Sequence, residues 1–304
     1  MKPKISVIML TYNRENLVRN AIESVLVQTF KGFEYIIVDN GSSDESGIIA
    51  DEYAAKDERI KVIHREKGNI GSGRNAGLDA GKGDYIAFVD DDDTIEPDYL
   101  EYLYKLITKH NADFSICSIS GKPFDGIRVM NTVEALEQLY WRKLYNNQFI
   151  TKLIKSELFD NIRFSTTAKY DDIEFMTPVM ARAKTVVFGG EPKYKINRHD
   201  GNNSAWTTNH NLLDEQTLSE YLQVYRMRTA FLIEKFPEKA LLWRYFEWSF
   251  MISMVEKINR LKLRCERQLN LMLSELRENR EEFISCEFIQ DFEKEWTNCY
   301  IERG

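Results

Sequence analysis

The sequence predicts an α/β fold, a sheet covered by helices on both faces, with a helical C-terminal extension. Three observations predict it. Short β-branched apolar runs alternate with helix-period segments through the first 120 residues, the pattern of a parallel sheet between helical layers. Gly121-Lys122-Pro123-Phe124-Asp125-Gly126 is a turn-rich break, after which the order of elements becomes mixed. Beyond about Leu212 strand signals vanish, and Met251, Val255, Ile258, Leu261, Cys265, Leu269, Met272 and Leu276 recur at three- and four-residue steps.

Strands are expected at Ile5–Leu10, Glu34–Val38, Ile60–His64, Tyr85–Val89 and Asp113–Ser118, where β-branched and aromatic residues crowd between turn residues. Helices fill the intervals near Leu17–Gln28, Ser46–Lys56, Ser72–Ala80 and Pro97–Lys109. After the break, helices are expected near Val133–Tyr145 and Ile173–Ala181, and strands near Thr185–Phe188 and Tyr194–Asn197. On this reading residues 1–211 form one domain, with halves at 1–120 and 121–211, and residues 212–304 form the helical region. The C-terminal stripe reads as an ordinary packing face, a partner copy of the chain or a peripheral membrane surface being the alternatives.

Composition narrows the class. At 43% hydrophobic and 29% charged residues the chain is globular, which excludes disorder and fibres. Lys and Arg number 41 against 48 Asp and Glu, so the net charge of −7 gives no overall footprint for nucleic acid. Cys117, Cys265, Cys286 and Cys299 show neither a CxxC pair nor a zinc spacing and read as reduced core thiols. The apolar run Ile5 to Leu10 is too short for a signal peptide, and no stretch approaches the ~20 apolar residues of a membrane span, so a cytoplasmic protein is expected.

The strand Tyr85–Val89 runs into Asp90-Asp91-Asp92-Asp93 at its carboxyl end, where ligands sit in open α/β sheets. Alternate residues share a face, so Asp90 and Asp92 can offer hard oxygen ligands to Mg²⁺ or Mn²⁺. The competing reading is a solvated acidic turn in which Asp93 and Glu96 serve the dipole of the next helix. An EF-hand fails because its required glycine is Ile95. Gly68 to Gly77 opens a helix whose free N–H groups suit an anion, although glycines for close packing explain it equally. Its spacing misses the dinucleotide fingerprint, and the first βα turn, Thr11-Tyr12-Asn13, has no glycine. Asp39-Asn40-Gly41-Ser42-Ser43-Asp44 places a carboxylate at a second strand's end, with Ser43 or Asp44 available as a helix N-cap.

Together Thr11-Tyr12-Asn13, Ser24 with Gln28-Thr29, Asp39 to Asp44, Gly71 to Gly77 with Arg74-Asn75, and Val89 to Asp93 resemble the family 2 glycosyltransferases. The resemblance covers about Lys4 to Ser118 and implies the GT-A fold, a mixed nucleotide-binding sheet flanked by helices. It implies Asp39 at the nucleotide base, Arg74 on the nucleotide-sugar side, and Asp90 with Asp92 as the DxD-type ribose and metal site. Thr11, Tyr12, Asn13, Gly71, Asn75 and Asp91 fall among the implied substrate contacts. Asn40 and Asp91 depart from the commonest pattern, where aspartate and serine are frequent. Lys169 to Phe175 resembles the family's Glu-Asp element, with Asp171 in place of the glutamate and Asp172 as base, its carboxylate expected to be spare. Tyr194 to Asp200 with Ser204 resembles the strand and loop that follow, which implies Arg198 or His199 at the diphosphate and His199 as a further metal ligand.

The expected activity is transfer of a sugar from a nucleoside-diphosphate sugar, UDP by family frequency, to a glycan or lipid-linked hydroxyl, with inversion. A non-catalytic nucleotide-sugar-binding subunit and a sugar-1-phosphate nucleotidyltransferase are the alternatives. The latter usually opens with a glycine-rich phosphate loop near the first strand, which this sequence lacks.

Overall fold

A computed structural model describes residues 2–167, 171–199 and 210–301. The chain divides into two compact units, Met1–Asn197 and Arg198–Gly304.

In the first unit, β1 (Ile5–Thr11), β2 (Phe33–Asp39), β3 (Ile60–His64) and β4 (Tyr85–Phe88) pair in parallel in the order β3-β2-β1-β4. The interior of β1 and β2 is buried on both faces, as their unbroken apolar runs require. The helices α1 (Val18–Leu26), α2 (Ser46–Ala54) and α3 (Ile70–Ala80) connect them. In α1 the buried residues Val18, Ala21, Ile22 and Val25 follow the helical period. In α3 Gly73 and Gly77 lie against Leu10 and Ile8 of β1, where any Cβ would overlap those side chains.

The mixed half departs from simple alternation. After β5 (Thr94–Ile95) and α4 (Tyr99–Lys109), β6 (Phe114–Ile119) does not continue the parallel series beside β4. β7 (Ile127–Asn131) and α5 (Thr132–Trp141) follow, and then β8 (Lys152–Lys155) inserts between β4 and β6, antiparallel to both. Asp113–Ser118 is therefore not a fifth parallel neighbour. Finally α6 (Asp171–Met180) leads into β9 (Thr185–Lys195), one continuous strand in place of the two expected. It pairs parallel to β6 and antiparallel to β7 and β5, completing a nine-stranded sheet. The register shifts beside Cys117 and Ser118 accommodate the Gly189 to Pro192 stretch that had suggested a gap. Helix α5 stops at Trp141 because Arg142 adopts the left-handed conformation, φ 51°.

In the second unit α7 (Glu215–Lys235), α8 (Ala240–Leu261), α9 (Glu266–Glu278), α10 (Arg280–Ser285) and α11 (Asp291–Tyr300) pack around α8. The apolar stripe spans α8 and α9, with Met251, Val255, Ile258, Cys265, Met272 and Leu276 buried. Cys299 is exposed, so it is not a core thiol. Among the described residues no helix is long and apolar enough to cross a membrane.

Candidate functional site

Four parallel strands bring their carboxyl ends to one edge, and the residues just beyond those ends build the site. Asp39, at the end of β2, is buried; its Oδ1 accepts the Ser42 N–H at 3.0 Å and its Oδ2 lies 3.1 Å from Nδ1 of His64, the last residue of β3. The other ring nitrogen of His64 lies 3.1 Å from the Asp51 carboxylate. Hydrogen bonds to Asp39 and Asp51 raise the His64 pKa above its ordinary value. Gly47 packs on Asp39 so closely that a Cβ would meet its carboxylate. In the same turn Asp44 accepts the N–H and hydroxyl of Ser46 at 2.9 and 2.6 Å, while Glu45 holds the cap position of α2.

Thr11, Tyr12 and Asn13 leave β1. Asn13 takes the left-handed conformation, φ 52°, so its N–H donates to Ser42 Oγ at 3.1 Å and its Oδ1 accepts from Ser43 N at 2.9 Å. These bonds lace the first two βα turns together. The Tyr12 N–H donates to Asp91 at 3.2 Å, and the Lys67 ammonium stands 4.6 Å from the Tyr12 ring centroid. Arg14 brings its Nε to 3.8 Å from Asp91 and 3.9 Å from Asp92. Sequence reasoning missed Arg14, Lys67 and His64; the available signal was that each adjoins the carboxyl end of a parallel strand.

Asp90, Asp92 and Asp93 bring one carboxylate oxygen each within 4.8 Å of one another. Asp93 is buried and accepts the Asn197 N–H at 2.8 Å, so it joins the cluster instead of capping α4, whose first turn carries Glu101. Desolvation pushes the Asp90 carboxyl well above the usual range; Arg74 opposes the shift, and Asp93, Asp172 and Asp92 add to it. Burial likewise pushes Asp91 up to about 7, against the nearby Thr11 hydroxyl, the Arg14 charge and the Tyr12 N–H. Three crowded hard carboxylate oxygens are a donor set that fits Mg²⁺ or Mn²⁺.

Arg74, on α3, donates from Nη1 to Asp172 Oδ1 at 2.5 Å. The Asp172 carboxylate is paired, not spare. The guanidinium lies 5.4 to 5.9 Å from the ring centroids of Phe164, Phe88 and Phe149. Around Arg74 the glycine-rich segment makes packing contacts. A Cβ on Gly71 would strike the Ser165 carbonyl, and Asn75 exchanges two 2.9 Å hydrogen bonds with the Phe164 backbone. Arg198 and His199 open the second unit. Asp200, Ser204, residues 168–170 and the side chain of Asp171 lie outside the described residues.

A parallel block joined through one antiparallel strand to a mixed half, with an acidic cluster past β4, defines the GT-A class. The chain belongs to the family described as Glycosyl transferase family 2, which matches residues 6–172. It is 31% identical to glycosyltransferase GlyA of Streptococcus pneumoniae over 73% of this chain and 37% of GlyA, so it spans little more than a third of that relative. Its fold resembles S. aureus TarS 1–349 in complex with UDP-GlcNAc, with TM-score 0.71 and 21% identity over 90% of this chain and 81% of that one. It also resembles the mannosyltransferase PcManGT from Pyrobaculum calidifontis in complex with GDP-Man and Mn²⁺, with TM-score 0.58 and 13% identity over 99% and 86% of the two chains.

Proposed function

We propose that this protein transfers a sugar from a nucleoside-diphosphate sugar, UDP-linked by preference, to a hydroxyl of a glycan or lipid-linked acceptor, with inversion at the anomeric carbon. Residues 1–120 supply the donor half and residues 121–211 the acceptor half. The observation that carries this reading is geometric: Asp90, Asp92 and Asp93 gather their carboxylate oxygens within 4.8 Å of one another past β4, and Arg74 on α3 pairs with Asp172 on α6. Family membership and the nucleotide-sugar complexes of the structural relatives support it.

In this mechanism Asp39 receives the nucleobase and Asp90 the ribose. Asp90, Asp92 and Asp93 would hold a divalent cation, which supplies positive charge for the departing diphosphate. Arg14 and Arg74 add fixed positive charge near the acidic cluster. Inversion in one displacement needs a base on the face opposite the leaving group, and Asp172 takes that role. Arg74 holds its Oδ1 and thereby orients the carboxylate for proton removal from the acceptor hydroxyl. A thermal-shift panel of nucleotide-sugars with and without Mn²⁺, followed by NMR of the product's anomeric configuration, tests the reading. Stabilisation by a nucleotide-sugar only with the cation, and an inverted product, are expected; retention of configuration would exclude the single-displacement role of Asp172.

A further inference from the structure

Lys152 is fully buried at the start of β8, and among the described residues its ammonium pairs with no carboxylate. It donates to the backbone carbonyls of Asn146, Gln148 and Ile150 at 3.1, 2.5 and 3.5 Å. A buried ammonium with no carboxylate in direct contact is costly, and ordinary packing does not require one; the charge of Asp172 acts on it from farther away. Lysine does offer three donors at one point. Thr151, in the left-handed conformation with φ 69°, turns the chain so that Lys152 reaches back to the segment just before it.

That segment carries Phe149, also fully buried. Its ring centroid lies 4.9 Å from Phe164 and 5.9 Å from the Arg74 guanidinium. It also lies 5.9 Å from Phe175, one turn along α6 from Asp172. One ring therefore touches the surroundings of both members of the Arg74–Asp172 pair. We propose that Lys152 is a positioning residue for this pair, acting through residues 146–150 and Phe149. The proposal rests on the reading of Asp172 as the base. Asp39, at the end of β2, has its hydrogen bonds with Ser42 and His64, away from this chain of residues.

Lys152→Gln keeps amide donors without charge, and Lys152→Met keeps length without donors. Because a misplacement near 1 Å can cost about 100-fold, kcat should fall roughly tenfold in the Gln variant and roughly 100-fold in the Met variant. UDP affinity in Mn²⁺, measured by calorimetry, should stay within about twofold of wild type, since uniform binding is untouched. Phe149→Leu should lower kcat similarly, and the double variant with Lys152→Gln should be no worse than the worse single one. Loss of UDP affinity in step with kcat, or additive losses in the double variant, overturns the proposal. If wild type turns over no nucleotide-sugar yet binds UDP, the transferase reading fails instead. The positioning claim is then read by deuterium uptake in Lys152→Gln. Faster exchange in peptides covering 145–151 and 171–180, with 5–11 and 33–39 unchanged, supports it; unchanged exchange in 171–180 overturns it.

Discussion

The two ends of the first unit hold a positive side chain in opposite ways. At the donor end His64 stands between two carboxylates, each within 3.1 Å, and is half-exposed. At the end proposed for the acceptor Lys152 is buried among neutral carbonyls beside the Tyr145 ring. The first arrangement favours the charged form and the second penalises it, so His64 has a raised pKa while burial lowers Lys152 to about 7. The donor end is held by hydrogen bonds between turns next to strand ends. The acceptor end is held by aromatic packing around one ion pair, and its geometry therefore depends on side chains far apart in sequence.

The strongest test of this contrast is chemical. Asp172→Asn should lower kcat by roughly 10²–10⁴ while UDP affinity in Mn²⁺ stays near wild type. Asp39→Ala should do the reverse, weakening UDP first; similar binding losses in both variants would erase the distinction between the ends. Lys152 gives the next largest effect. Between its folded value of about 7 and the ordinary 10.5, the unfolded chain carries a proton that the folded chain lacks, so this group makes stability rise with pH across that window. Lys152→Met should flatten the rise by on the order of a few kcal/mol, read as the wild-type minus variant difference in urea midpoints. Asp92→Ala should abolish Mn²⁺-dependent stabilisation by UDP, worth about 2.7 kcal/mol at ligand near 100 times Kd. Equal melting shifts with EDTA and with Mn²⁺ would refute the metal site. The smallest effect belongs to His64. Its raised pKa contributes stability that is complete below the ordinary value of 6.5 and is lost as pH rises through the folded value, so His64→Gln should remove a fall in urea midpoint with rising pH, opposite in sign to the rise that Lys152 gives.

The same contrast explains what could be read from the sequence. Thr11 and Asp39 end parallel strands and Asp90 and Asp92 follow the end of β4 within four residues; such ends share an edge by topology, so contiguous motifs suffice to gather them. His64 satisfied the same rule and was overlooked because a lone strand-end histidine carries no motif. Asp93 seemed to be a capping residue because acidic residues before a helix usually are; its burial and its bond to Asn197 depend on β9, about a hundred residues later. Asp172 pairs with Arg74, whose guanidinium lies by Phe149 and Phe164, a grouping made only by tertiary packing. β8 escaped notice because it is four residues long with lysine at both ends, one buried for reasons no local pattern encodes. The glycines of α3 were ambiguous between anion binding and packing until Leu10, Ile8 and the Ser165 carbonyl supplied the steric reason.

The late insertion of β8 also bears on how the protein is made. During synthesis β1 to β4 emerge first and could assemble into what resembles a finished nucleotide-binding module. Yet β4 then has a neighbour on one side only, because the strand that covers its other edge ends at Lys155. Until that point has left the ribosome, the strand leading to Asp90 presents unpaired backbone groups to any passing chain. A nascent or truncated chain ending near residue 120 is thus expected to aggregate although it carries every motif up to Asp93, and the strand leading to the acidic cluster gains its second neighbour only when β8 arrives.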